Sequence, residues 1–505
     1  MAMCPCFSLS WSPAKEREMP RISRRTMLGA VGASAVAAAT LPGNARPQMK
    51  SSATYKLVRE IPVEEGYDLV VAGGGPAGAA AAISAARLGA KVLLAEATGC
   101  MGGMGTSGLV TQFPSFGDGE RTLVGGVLRE ITEAMYQGGF IDPHIGPETW
   151  HKNGVPHNVE GYKLTLDEFA SKAGVEVCFF THVIDVDADA QAGQIHGIIL
   201  SNIEGYRYVR AKTFVDATGD AVLSALCGAV CREAGRDTPG IMPPSLCSMV
   251  ASVAWDRFKD QQKMVEKAID DGFFSVPDRH VPGLFRVGEK IGLLNAPHVF
   301  NLNALRCKSL TDGVMAGRRL AQEYIAFYRK YVPGCENLEH VTTADLMGVR
   351  ESRRILGEYE MTANDFLSLR VFPDQIGVYA YPMDPHPYDN SKAEYERYYR
   401  EFTQTGKLKT GEFYGLPYGI LVPKGWKNLW AAGRCVSTDL RVNSAIRVQP
   451  AAFLMGQAAG TAAVQSIRTK RPAAEIDTEV LVNTLRKAGA YLPQTTTSKT
   501  LTLAA

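Results

Sequence analysis

An α/β fold is what this 505-residue sequence predicts, and three stretches carry the expectation. YDLVVAGGGPAGAAAAISAARLGAKVLLAE (67–96) reads as an apolar strand, a glycine turn, an Ala-rich helix, a glycine stop and a second strand. TFVDATGD (213–220) is a short strand running into another glycine turn. NLWAAGRCVSTDLRVNSAIRVQPAAFLMGQAAGTAAV (428–464) is a strand, a glycine turn, a loop and a small-residue helix. Continuous apolar strands alternating with helices mark a parallel sheet covered on both faces. The three stretches lie far apart in the chain. The expected architecture is therefore a Rossmann-like domain, discontinuous in sequence, with an α+β domain inserted into it.

The elements follow in chain order. Residues 1–47 stand outside the fold. SRRTMLGAVGASAVAAATLPGNA places Arg24 and Arg25 before an apolar run from Met27 to Leu41 and a small-residue exit near Ala45. That is the layout of a twin-arginine export signal, with the export machinery as its partner and a periplasmic or secreted destination. The run is short and rich in Ala and Gly, so no permanent membrane anchor is expected. The segment before Ser23 is long for a leader, and Met19 gives a more compact start, MPRISRR. Residues 1–45 hold five Lys/Arg and two Asp/Glu, so cleavage there takes the net charge from +2 to −1. A charge that small, with no basic block after residue 25, excludes a nucleic-acid partner.

The first strand, from Asp68 to Ala72, runs into Gly73-x-Gly75-x-x-Gly78, and Glu96 closes the second strand. Strand, glycines, helix and a late acid together form the dinucleotide fingerprint. Gly73 allows the turn, Gly75 admits backbone close to a pyrophosphate, and Gly78 lets helix and strand pack tightly. The helix N-terminus faces the phosphate charge, and Glu96 reaches the ribose hydroxyls. The loop Gly99–Thr106 follows at once and suits backbone running along an extended cofactor. The helix expected to begin near Ser444 to Arg447 would turn its N-terminal dipole toward negative charge developing there.

These segments resemble the FAD-dependent oxidoreductases of the glutathione-reductase-like and fumarate-reductase-like superfamily. More narrowly, they resemble the bacterial FAD-dependent oxidoreductase family. Its GCxGGxxT loop, ATGD turn, GxRESRRIxGxY segment and AGRxxS…R…GQAAGTAA close match Gly99–Thr106, Ala217–Asp220, Gly348–Tyr359 and Ala432–Ala463. The resemblance covers most of 66–469. It implies FAD, held by Gly73, Gly75, Pro76, Ala77, Gly78, Glu96, Ala97, Gly102, Gly103, Met104 and Thr106. It adds Ala217, Thr218, Gly219, Asp220, Gly433, Arg434, Ser444, Arg447 and Val448. It does not fix a substrate.

The domain reading is 66–234 and 425–470 for the two parts of the FAD-binding domain, 235–424 for the substrate-binding domain, and 471–505 for a C-terminal helix and tail. Within 349–360, VRESRRILGEYE, the alternation Ile355, Gly357, Tyr359, Met361 argues for a strand from about Arg353. Thr362-x-x-Asp365 then starts a helix. On such a strand Arg353 shares the apolar face, either ion-paired inside or aimed at the cofactor cleft. Arg350 and Arg353 are the candidates to hold a carboxylate or polarise a carbonyl. His386, between two prolines in YPMDPHP, is the candidate proton acceptor, with Tyr381 a further candidate catalytic residue and Asp384 a candidate beside them. Cys227 and Cys231 would share a face on a helix, but no further ligands stand near enough for a metal site. Cys100 has no second cysteine at redox-pair spacing.

The expected function is oxidation of a polar small molecule, sugar-like or hydroxylated, with hydride passing to the flavin and on to an electron acceptor of unknown identity. The alternatives are fumarate-reductase-like reduction of an activated double bond, with arginine delivering the proton, and a flavin-carrying electron-transfer subunit.

Overall fold

The structure is a computed structural model that describes residues 55–493 apart from 153 and 282. The segment expected to be an export signal and the end of the tail lie outside the described residues. The described residues from Ile61 onward form one compact unit. No helix among the described residues is long and apolar enough to cross a membrane.

The central sheet is built around β1 (Val63–Ala72), and the glycine turn leads from it into α1 (Pro76–Arg87) and β2 (Val92–Ala95). Next come α2 (Gly126–Gln137), α3 (Val159–Ala173) and β3 (Glu176–Cys178). A meander of β4 (His182–Asp189), β5 (Gln194–Asn202) and β6 (Gly205–Asp216) follows. Strands β3, β2, β1 and β6 lie side by side in parallel. β6 is long enough to do two jobs. Its first half pairs antiparallel with β5, while Phe214–Asp216 pair in parallel with a late strand, Leu429–Ala431. The strand tips bearing the 73–78 and 217–220 turns therefore meet at one end of the sheet.

The chain then passes through α4 (Val222–Cys227) and β7 (Cys231–Glu233). The inserted region follows. Its antiparallel sheet orders β9 (Gly283–Arg286), β10 (Gly292–Asn295), β8 (Ser248–Ala251) and β11 (Glu339–Thr343). It carries α5 (Gln261–Asp270) and the long α6 (Cys307–Tyr331), and has its own core of Val250, Leu284, Leu294, Tyr324, Phe327 and Tyr328. β12 (Arg353–Ile355) pairs with β7. α7 (Ala363–Leu367) opens with the expected Thr362/Asp365 capping box. β13 (Gln375–Tyr379) pairs with β14 (Tyr414–Pro417), and α8 (Lys392–Thr405) lies between them. The chain returns to the central sheet through β15 (Leu429–Ala431), α9 (Leu440–Ile446), α10 (Gln449–Thr469) and α11 (Thr478–Lys487).

α10 is buried along most of its length against α1, and glycines set that distance. An added Cβ at Gly456 would lie 2.0 Å from the Ala77 carbonyl oxygen, and one at Gly460 would lie 2.1 Å from that of Ala81. Backbone meets backbone here, which only a residue without a side chain permits.

Two sequence expectations need correction. The final helix starts at Gln449, with Val448 as its N-cap, rather than at 444–447. Ser444 lies inside the separate α9, whose N-cap Asp439 accepts from the Val442 amide at 2.8 Å. Pro450 lacks an amide hydrogen and belongs in a first turn, so it forces the break. Cys227 and Cys231 also fall on different elements, because Gly228 (φ 92°) ends α4 between them.

Candidate active site

The glycine turn leaves room where a pyrophosphate needs it. Gly73 adopts φ +92°, and a Cβ there would strike the Ala217 carbonyl oxygen at 2.7 Å. A Cβ on Gly78 would lie 1.8 Å from the Gly73 carbonyl oxygen. Gly75 differs: an added Cβ meets nothing within 4 Å. Gly75 is also the N-cap of α1, and no side chain caps the helix's first amides. Those donors and that space fit a phosphate group.

Glu96 sits buried at the tip of β2. Its Oε2 accepts from the Gly74 amide at 2.6 Å, and its Oε1 accepts from the Thr98 amide at 2.7 Å and hydroxyl at 2.8 Å. Thr98, which the sequence reading passed over, thus helps orient Glu96, the acid expected to meet a ribose. The Gly102 amide donates to the Gly74 carbonyl at 2.9 Å and pins the second glycine loop onto the first. Gly103 lies so near that its Cβ would be 3.1 Å from Gly75 Cα. Met104 continues this short 3₁₀ turn, and the Thr106 hydroxyl closes it on the Met101 carbonyl at 2.7 Å. Pro76 and Ala77 form the first turn of α1, and Gly433 packs beside Ala77. Ala97 is exposed just beyond Glu96.

The 217–220 turn is held from beneath. Asp216, fully buried, accepts from the amides and hydroxyls of both Thr218 and Ser224. Arg434 donates to the Gly219 carbonyl at 2.9 Å and also engages Val349 and Asp220. Arg434 therefore fastens the turn to the 349–355 segment. Arg353 does similar work: its Nη1 donates to the Asp220 carbonyl at 3.3 Å. The sequence placed Arg353 on the buried strand face. Instead Arg354 is buried, 3.5 Å from Glu351, with its Nε donating to the Thr438 carbonyl at 3.2 Å. β12 is covered on both sides, so a period of two could not sort its arginines.

Arg350 occupies a different place. It donates to the Pro243 carbonyl at 2.6 Å and the Ser245 hydroxyl at 3.1 Å, both neutral acceptors. No carboxylate among the described residues forms an ion pair with it. Arg447, where α9 gives way to α10, donates to the Asp384 carbonyl at 2.9 Å and lies 3.6 Å from that residue's Oδ2. The Asp384 amide donates to the Ser444 hydroxyl at 2.9 Å. The 381–386 loop thus docks directly on the element leading into α10. The Tyr381 hydroxyl reaches Asp384 Oδ2 at 3.4 Å, and His386 Nε2 stands 3.5 Å from the same oxygen.

Around His386 the fold assembles two histidines that sequence reading missed. The ring centroids of His280 and His298 lie 4.9 and 5.0 Å from that of His386. His298 Nδ1 is 2.7 Å from Asp278 Oδ2. These residues come from loops of the inserted region with no motif around them, so no local signal marked them. Burial pushes His386 well below its ordinary pKa, and Arg350 pushes it further. Burial and His298 take His280 down to about 4. Burial lowers His298 against the opposing pull of Asp278. All three imidazoles are therefore neutral at pH 7. Burial and then Arg447 lower Arg350 to about 10.

A glycine turn at the switch of a parallel sheet, an acid at the next strand tip and a helix returning from the end of the chain define a dinucleotide-cofactor oxidoreductase. The chain belongs to the FAD dependent oxidoreductase family, whose model matches residues 68–487. The donor set and the open space at Gly75 fit FAD. Residues of this chain are 31% identical over 198 positions to digeranylgeranylglycerophospholipid reductase 2 of Methanothermobacter thermautotrophicus, covering 36% of this chain and 46% of that protein. The match thus spans a little under half of that relative's length. Among solved structures, a geranylgeranyl bacteriochlorophyll reductase-like protein of Thermoplasma acidophilum is 14% identical at a TM-score of 0.41, covering 86% of this chain and 94% of that one. A myxobacterial chondrochloren halogenase is 16% identical at a TM-score of 0.40, covering 85% and 79%.

Proposed function

We propose that this flavoenzyme oxidises a small, hydroxylated molecule that carries an anionic group. The observation that carries the reading is Arg350, a buried cation bonded only to the neutral Pro243 carbonyl and Ser245 hydroxyl, whose charged form is disfavoured by burial and then by Arg447. Arg447 already has the Asp384 carboxylate at 3.6 Å, whereas Arg350 has no ion-pair partner among the described residues, and an anionic substrate group would supply one. The neutral histidines beside them supply what oxidation of a hydroxyl requires, a proton acceptor. His386 is the one the sequence singles out, and its loop is fixed by Ser444 and Arg447. FAD, when bound, supplies a two-electron acceptor. Gly73–Gly78, Glu96, the 102–106 loop and the start of α10 are the residues to hold it. Arg353 and Arg434 support the site by fixing the 217–220 turn.

The test is anaerobic mixing of the FAD-loaded protein with sugars, polyols, hydroxy acids and amines. Loss of the oxidised flavin's visible absorbance with a hydroxylated compound supports the reading, and no bleaching by any of them sinks it. A second reading, reduction of an activated double bond, is favoured by the lowered pKa of Arg350, which eases proton release from the guanidinium. The Methanothermobacter relative is itself named a reductase. Reoxidation of the dithionite-bleached protein by an unsaturated acid would select this reading. We further propose export in the folded, FAD-loaded state, on the strength of Arg24, Arg25 and the apolar run behind them. Retention of an Arg24→Lys/Arg25→Lys double variant in the cytoplasm, beside an exported wild type, is the check.

A further inference from the structure

We propose that His298 is the proton-accepting residue of this site and that Asp278 positions it. The inference rests on the oxidation reading above and assigns one of its roles to a specific atom, His298 Nε2.

The geometry is that of a carboxylate–imidazole dyad. Asp278 Oδ2 lies 2.7 Å from His298 Nδ1. A carboxylate there accepts the Nδ1 hydrogen, so the lone pair must reside on Nε2. Asp278 is itself held in place. Its Oδ1 accepts from the Tyr395 hydroxyl at 2.5 Å and from the His280 amide at 2.9 Å. Burial opposes ionisation of Asp278, but His298 and these donors outweigh it and keep the carboxyl below its ordinary range. The imidazole therefore has a fixed orientation, a fixed tautomer and a permanent counter-charge.

His298 Nε2 is buried and has no partner. A buried nitrogen left unpaired costs about 1–3 kcal/mol unless a water or a ligand supplies the missing partner. His386 is less well prepared. Its Nε2 is 3.5 Å from an Asp384 oxygen that also faces Arg447 at 3.6 Å, and its Nδ1 has no partner, so nothing fixes its tautomer. Its ring stands edge-on to that of His298. His280, Asp384 and His386 also bring possible ligand atoms within 4.8 Å of one another. The guanidiniums of Arg350 and Arg447 beside them oppose a divalent cation there.

The step balances as follows. The substrate O–H and the C–H on the same carbon both break. The proton goes to His298 Nε2, the hydrogen leaves carbon with its electron pair for the two-electron acceptor, and a C=O bond forms. Burial keeps His298 neutral at pH 7 and Asp278 raises its proton affinity, so the dyad loses its acceptor only on the acid side.

The experiment compares FAD-loaded wild type, His298→Gln, Asp278→Asn and His386→Gln. Retention of the flavin spectrum first shows that each variant is folded. A hydroxylated compound that bleaches the wild type is then followed anaerobically from about pH 5 to 9. His298→Gln is expected to lower the limiting rate on the order of 10²- to 10⁴-fold, the worth of a general base, with half-saturation little changed. Asp278→Asn is expected to lower it less and to move the acid limb to lower pH. A second readout needs no turnover: nitrogen-15 NMR of labelled histidines at pH 7 should show an Nδ1–H tautomer that vanishes in His298→Gln and loses its lock in Asp278→Asn. The proposal is overturned if His298→Gln bleaches at the wild-type rate, if the wild-type tautomer is Nε2–H, or if a chelator abolishes bleaching and zinc restores it. Failure of the wild type to bleach with any hydroxylated compound instead overturns the oxidation reading, and the proton-acceptor role falls with it.

Discussion

Replacing Gly75 by Ala separates what the glycine turn does for the protein from what it does for the cofactor. The backbone at Gly75 has φ −62° and ψ −175°, which any residue adopts. The new methyl meets no atom within 4 Å. Two small terms act on the apoprotein. Reduced freedom of the unfolded chain stabilises by about 0.4–1 kcal/mol. Alanine caps a helix less well than glycine, which costs a comparable amount. They nearly cancel, so the apoprotein should melt close to wild type. The methyl does, however, project into the space that fits the pyrophosphate. Crowding of that kind costs about 1–3 kcal/mol, which loosens FAD about 5- to 150-fold. Gly78→Ala is the contrast, since its Cβ would sit 1.8 Å from the Gly73 carbonyl oxygen and the fold itself should suffer. The assay strips FAD, titrates it back by fluorescence quenching, and melts the apoprotein alongside. Wild-type FAD affinity in Gly75→Ala, or a clearly less stable apoprotein, would refute the reasoning.

Three further outcomes can be checked by urea unfolding. His157 is buried and stacked on Phe113 at 4.2 Å, and burial takes its pKa down to about 4. A base with a lowered folded pKa contributes stability that is complete above about pH 6.5 and is lost as pH falls toward 4. That loss amounts to about 3 kcal/mol, and His157→Phe should flatten that part of the pH dependence. Arg354→Met leaves Glu351 buried without its cation and should cost on the order of 3 kcal/mol, whereas the double variant with Glu351→Gln should cost less than the sum of the singles. Gly460→Ala gains about 1 kcal/mol of helix propensity but forces α10 from the Ala81 carbonyl, and the net should be destabilising by about 1–2 kcal/mol.

The glycine turns and the buried acid of the candidate cofactor site were legible in the sequence because local chemistry dictates them. A positive φ at Gly73, a close approach at Gly78 and an acid at a strand tip each require a particular residue at a fixed spacing. The same holds for the Thr362/Asp365 capping box. The proposed substrate half was legible only in part. Arg350 and His386 stood out by residue type and setting, whereas Asp278, His280 and His298 come together only because the inserted region folds back on the 381–386 loop. No spacing within the chain encodes that meeting. The arginine run misled for a physical reason: alternation reports a strand with one wet face, and β12 has none. The last helix was placed a few residues early because a small-residue stretch reads as one helix until Pro450 is weighed.

The most direct test of the central claim is an anaerobic visible titration of the FAD-loaded protein with a hydroxy acid and with a neutral polyol of the same length, repeated on Arg350→Met. The account predicts that the hydroxy acid bleaches the wild type at the lower concentration and that the variant loses this preference while keeping its flavin. It would be contradicted if neither compound bleached the wild type while an unsaturated acid reoxidised the dithionite-reduced protein, or if Arg350→Met treated the two compounds as the wild type does.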